Sequence, residues 1–258
     1  MRNIFKAEIF KITRKVEYWL SFIIFVVPLI LAFSIQYPNF GLDMSFPPGV
    51  SMISRFYLMI VTLGFVTDLG VYHILFSVIA TNTLSSEIDN NYFMLYLPRL
   101  KRKDSLYTVK SLVLSGALLI HILLYCAFSY LISEIIITSN PIISQTFFDK
   151  YSFYCFANLI AMVFELICFA NIALFTGLFF KPLQNILLSI GIFICSNIFY
   201  STPIIKYIIP RYYTKSLVAL PDMMDKGPIS HNLIMAIAVS CVYIFAMNIV
   251  GRWKIRKI

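Results

Sequence analysis

The sequence predicts an all-α, polytopic membrane protein, because its composition is apolar, its apolar runs are long and unbroken, and its basic residues fall mainly on one side. Hydrophobic residues are 60% and charged residues 13% of the 258, about half the charged share of a soluble domain, and the mean hydropathy is +0.83. Six stretches, 18–36, 56–83, 111–133, 154–179, 183–201 and 232–250, can each cross a hydrocarbon core, which takes about 20 apolar residues. Their continuity predicts helices, since a barrel strand is about ten residues of alternating character. No loop is long enough for a separate soluble domain, so residues 1–258 read as one transmembrane domain.

Ahead of the first span, Met1, Phe5, Ile9, Ile12, Val16 and Trp19 recur at steps of three and four among Arg2, Lys6, Lys11, Arg14 and Lys15. That pattern predicts an amphipathic helix over 1–17 lying at the membrane interface. A cleaved signal peptide is the competing reading, with Ala32-Phe-Ser34 as an imitation of a cleavage site. The uncharged run from Tyr18 to Leu42 exceeds a typical signal core of about 7 to 15 residues, which favours a retained span.

The second stretch is long. As one continuous helix, 56–87 would measure roughly 48 Å against a core of about 30 Å, so its far end is predicted to protrude into water. Residues 84–110 then form the largest charged island between spans, with Glu87, Asp89 and Asp104 among basic residues and an apolar run at 92–97. The fourth and fifth stretches are joined around Lys181-Pro182, a tight hairpin that makes them antiparallel neighbours, with proline acceptable in a helix's first turn. Residues 202–231 carry Pro203, Pro210, Pro221 and Pro228 with an aromatic and basic run at 206–215, which suits short helices or a re-entrant segment at the outer headgroups.

Orientation follows from lysine and arginine, whose excess stays cytoplasmic. With the N-terminus inside, 15 of the 21 basic residues lie on the inner side and six outside: Arg55, Lys150, Lys206, Arg211, Lys215 and Lys226. Both termini are therefore expected in the cytosol. The net charge of +9 reads as an inner-leaflet bias toward anionic lipid, not as a nucleic-acid surface.

Ionisable residues at membrane depth are costly, about 2.5 to 3.5 kcal/mol at a span centre, so they are candidates for function. Asp68, His121 and Glu165 fall near the centres of the second, third and fourth spans, at depths that antiparallel packing could match. Asn158, Asn171, Asn185 and Asn197 add hydrogen-bonding groups. One reading is a polar cavity wall in which Asp68 and Glu165 attract a cationic or amphipathic substrate. The other is a set of inter-helix hydrogen bonds, worth about 0.6 kcal/mol each.

A metal centre on Asp68, His121 and Glu165 lacks any His-Glu-x-x-His pattern, and a hydrolase lacks the Gly-x-Ser-x-Gly elbow. Cys126, Cys155, Cys168, Cys195 and Cys241 have neither zinc nor redox spacing. There is no Gly-x-x-x-x-Gly-Lys phosphate loop, so ATP-driven work would need a separate ATPase chain.

Taken together, the amphipathic start, six spans, large first cytoplasmic loop, very short second one and bent outer segment resemble the type-2 ABC exporter permeases. The opening Ile4-Phe-Lys-Ala-Glu-Ile-Phe-Lys-Ile-Thr-Arg14 is similar to the starts of permeases in the lantibiotic-immunity and bacteriocin-export branch. That family has a glutamate ending the second span, then a proline and a basic residue, then a lysine entering the third, and Glu87, Pro98, Arg102 and Lys110 stand at the matching positions. Asn90-Asn91 replace the family's Gly-Thr after the glutamate.

The resemblance implies a permease of a bacterial cytoplasmic membrane, working as a dimer with an identical or sister chain on two cytosolic ABC ATPases. Those partners would bind the ATP and magnesium, this chain binding no cofactor and no metal. Glu87, Pro98, Arg102 and Lys110 would couple the ATPase, and Asp68, His121 and Glu165 would line the path of an exported amphipathic peptide or peptide antibiotic. A membrane-embedded metal enzyme or a proton-coupled secondary transporter built on Asp68, His121 and Glu165 are the rivals.

Overall fold

The computed structural model describes residues 2–37, 52–92, 103, 105–138, 143–144 and 146–257. Its helices are α1 (Arg2–Thr13), α2 (Val16–Leu20), a 3-10 turn (Ser21–Phe25), α3 (Val26–Gln36), α4 (Arg55–Asp68), α5 (Val71–Asp89), α6 (Ser105–Ile136), α7 (Ser152–Thr176), α8 (Pro182–Phe199), a second 3-10 turn (Ile205–Ile208), α9 (Pro210–Val218) and α10 (Lys226–Lys257). Among the described residues, β pairing is confined to an isolated bridge between Ile53 and Ile143. Among the described residues, five helical stretches are long and apolar enough to cross a membrane, and the bent pair α4 and α5 makes a sixth when taken as one span. The chain is a multi-pass, all-helical membrane protein.

Proline accounts for the irregular first span. Pro28 has no N–H for the Ile24 carbonyl and its ring crowds that group, and the chain tightens into the 3-10 turn just before it. The same chemistry helps α8, where Pro182 occupies the first turn after an extended Lys181. The hairpin expected at Lys181-Pro182 is there.

The second span departs from expectation. Instead of one rod it bends by 61° between α4 and α5, at Gly70, which has a φ of +74°. Left-handed backbone of this kind is open to glycine at little cost and strained for other residues. The place is also sterically reserved, since a Cβ on Gly70 would come within 2.3 Å of the Phe193 ring on α8. What remains of the predicted protrusion is α5, 19 residues long and so about 28 Å, close to the thickness of a hydrocarbon core by itself.

The most buried of the five unbroken spans is α7, which packs against α4, α5, α6, α8, α9 and α10. Ala157, Ala161, Ala170 and Ala173, all buried, keep its surface small so that neighbouring backbones approach closely. Buried amides then join the helices. Asn185 donates to Thr81 at 2.7 Å and to the Ala173 carbonyl at 2.9 Å, tying α8 to α5 and α7. Asn171 bonds Ser111 and Ser115 of α6, and Asn158 caps its own helix's Tyr154 carbonyl. By contrast α10 leaves Ile234, Val242, Phe245 and Ile249 exposed, as a lipid-facing helix does.

Candidate functional site

Two ionic clusters sit at the two ends of α5. The first surrounds the break. Asp68 closes α4, His73 lies in the first turn of α5, Glu165 is central in α7, and α9 brings Arg211 and Lys215. Arg211 donates from Nη1 to Glu165 Oε1 at 2.7 Å, from Nη2 to Asp68 at 3.3 Å and from Nε to Asn197 of α8 at 2.6 Å. Its guanidinium lies 4.8 Å from the Phe193 ring centroid. Lys215 Nζ is 2.7 Å from Asp68, and His73 Nε2 is 3.3 Å from Glu165. One guanidinium thus joins the broken span, the central α7 and the short α9.

α9 is built to make that reach. Pro210 sits in its first turn, where the missing N–H is harmless. Arg211 follows it, so the positive end of the helix dipole and the guanidinium act on the same carboxylates. Both Arg211 and Glu165 are 1% exposed, whereas Asp68 is 48% exposed. The polar wall read from Asp68 and Glu165 is not bare. Two cations from residues 202–231 neutralise it, and the cluster is a latch with one half-open carboxylate.

His121 stands apart from this latch. Its Nδ1 is 3.2 Å from the Tyr72 hydroxyl, and the rings of Phe22, Phe25, Tyr72 and Phe76 lie around it with centroids 4.6 to 5.7 Å away. Consecutive residues on α5 explain the separation: Tyr72 faces His121 of α6, and His73 faces Glu165 of α7. His121 and Glu165 are therefore met by different faces of α5. Among the described residues no group of three His, Cys, Asp or Glu side chains could hold a metal ion, so Asp68, His121 and Glu165 do not assemble as the ligand set of the rival reading.

The second cluster is at the other end of α5. Lys110, fully buried near the start of α6, donates to Glu8 at 2.7 Å, to Glu87 at 2.9 Å and to the Thr83 carbonyl at 2.8 Å. Lys11 bridges the same carboxylates at 3.1 Å and 2.9 Å. Asn82 adds a bond to Glu17 of α2 at 2.6 Å. Glu87 and Lys110, both named by the resemblance as ATPase-coupling positions, touch directly, and Glu8 of α1 joins them. Pro98 and Arg102 lie outside the described residues.

The face of α1 toward the bundle is not its apolar stripe. Phe5, Ile9, Val16 and Trp19 are exposed as a lipid-facing stripe would be, while the face toward the bundle carries Ile12 and the acid Glu8, 2% exposed. The one signal of Glu8 in the sequence is that it is the single acid of a basic helix. Arg211 stands within the basic run at 206–215, and His73 has no carboxylate three or four residues away on its own helix. Comparison with protein families, characterised proteins and solved structures returns no match to this chain.

Proposed function

We propose that this chain is the membrane permease subunit of an ATP-driven exporter in a bacterial cytoplasmic membrane, with both termini in the cytosol. Its cargo is an amphipathic peptide or peptide antibiotic, exported for immunity or secretion. The observation that carries the reading is Lys110, buried and held at once by Glu8 of α1 and by Glu87 and Thr83 of α5. It makes the interfacial helix and the roots of two spans one mechanical block, beside the charged 84–110 island. An ATPase pressing there would move α5 as a rod.

The far end of that rod is the Gly70 hinge. Residues on both sides of it, Asp68 and His73, belong to the Arg211 latch, so tilting α5 against α4 would change the latch geometry. A cationic, amphipathic cargo would compete with Lys215 and Arg211 for the half-exposed Asp68. ATP and magnesium belong to the partner ATPases in this reading, and a second permease chain completes the assembly.

Purification of the tagged chain from its own membranes, with mass spectrometry of what accompanies it, tests the proposal. An ATPase bearing a Gly-x-x-x-x-Gly-Lys loop is expected, and Glu87→Ala should abolish cargo-stimulated ATP hydrolysis. Repeated purification with no ATPase would sink the reading.

A further inference from the structure

A cleft of about 320 Å³ opens where α1 meets α2, and its wall includes Lys11, Arg14, Lys15, Ser86 and Glu87. Three cations from one turn of chain face it. Among the described residues the only carboxylate in the wall is Glu87, whose two oxygens are already taken by Lys11 and Lys110. Asn82, also in the wall, has its amide engaged by Glu17 and its carbonyl by Ser86. Lys15 is different. Its ammonium is buried and has no hydrogen-bond partner among the described residues, a costly arrangement for a charged donor unless something else binds it.

We propose that this cleft seats the phosphate of an anionic lipid headgroup. A phosphate oxygen would accept from Lys15 and Arg14, a charge-assisted pairing stronger than neutral hydrogen bonds. Position selects lipid as its source. The first membrane span begins at Val16, the residue after Lys15, so the cleft lies at the boundary where headgroups are. Val16, Leu20 and Ile23, all exposed, continue from it as an apolar ridge along which an acyl chain can run. Trp19, exposed and donating its indole N–H to the Thr13 carbonyl at 2.8 Å, anchors the same level, as tryptophan does at interfaces. The site stands on this geometry and does not depend on the exporter reading.

Trp19 supplies the readout, because the chain has only two tryptophans and Trp253→Phe leaves it alone. The full chain carrying that change is reconstituted in phosphatidylcholine vesicles, and brominated phosphatidylglycerol or brominated phosphatidylcholine is titrated in at equal mole fraction. Stronger quenching by the anionic lipid is expected. Arg14→Gln with Lys15→Gln should weaken that preference by about fivefold for each charge removed. Lys15→Arg should retain it, which guards against a variant that fails to fold, and Lys226→Gln at the start of α10 should leave it unchanged. Equal quenching by both lipids, or a preference that survives loss of both cations, would overturn the proposal. So would inorganic phosphate abolishing the preference where chloride of equal ionic strength does not, since the ligand would then be soluble phosphate.

Discussion

Arg211 on α9 holds Glu165 on α7 at 2.7 Å with both side chains 1% exposed, so residues 46 positions apart form a desolvated ion pair. Such a pair adds little over a well-packed apolar one, but removing one partner strands a buried charge at a cost of about 3 to 5 kcal/mol. Arg211→Met should therefore destabilise strongly. Glu165→Gln should cost less, because Arg211 keeps Asp68 and Asn197. Arg211→Met combined with Glu165→Leu should recover much of the loss. Thermal unfolding in detergent checks the order, and a double variant as unstable as the Arg211→Met single would contradict it.

At the other end of α5, Lys110 neutralises two carboxylates, Glu8 and Glu87. Lys110→Met leaves Glu8 with Lys11 alone on a surface otherwise buried against the bundle. A loss of about 3 to 5 kcal/mol is expected, felt locally as release of α1. Hydrogen exchange of the α1 amides should rise more than that of α7, and Glu8→Gln added to Lys110→Met should restore part of the protection. Uniform exchange across the chain would show that the network does not hold α1.

The apolar runs and the Lys181-Pro182 hairpin are legible because each depends on local composition. The partners of Asp68 and Glu165 are not. Arg211 lies 143 positions from Asp68, and nothing local marks one basic residue of 206–215 as the one that turns inward. Gly70 was invisible for another reason, since hydropathy counts a glycine within an apolar run as continuous span, whereas its effect here is conformational. Glu8 was hidden by a correct pattern: the stripe of Phe5 and Ile9 does mark the outward face, and the inward face is acidic because Lys110 compensates it. The resemblance points to Glu87 and Lys110 as separate positions, and neither their contact nor the part of Glu8 in it can be read from local sequence.

Gly70 offers a test of the hinge. Alanine there must adopt a φ of +74° and place its Cβ within 2.3 Å of the Phe193 ring, combining left-handed strain of about 1 to 2 kcal/mol with a steric clash. Gly70→Ala should lower the melting temperature and, under the proposed exporter function, slow transport more than it weakens ATPase binding. Phe193→Ala in the same chain removes the clash and leaves the strain. Partial recovery of stability is expected, and no recovery would mean that the ring contact is unimportant.

Lys15 makes stability depend on pH in a defined window. Burial pushes its ammonium from 10.5 down to about 8, with Lys110 acting in the same direction and Glu87, Glu17 and Glu8 opposing. Between about pH 8 and 10.5 the unfolded chain holds a proton that the folded chain has released, so stability from this group rises with pH. Lys11 acts with the opposite sign. Burial lowers its affinity for the proton, but Glu8 and Glu87 together outweigh burial and raise it above 10.5, so its contribution is lost only above that window. In a zwitterionic detergent free of anionic lipid, Lys15→Gln should be more stable than the parent near pH 7 by about 2 to 3 kcal/mol. The gap should close toward about pH 10.5, where the parent's lysine is neutral in both states. Anionic lipid should close the same gap near pH 7 by pairing the buried charge. A difference in melting temperature that does not vary with pH would mean that Lys15 is not desolvated, and one that ignores anionic lipid would leave the cleft without its ligand.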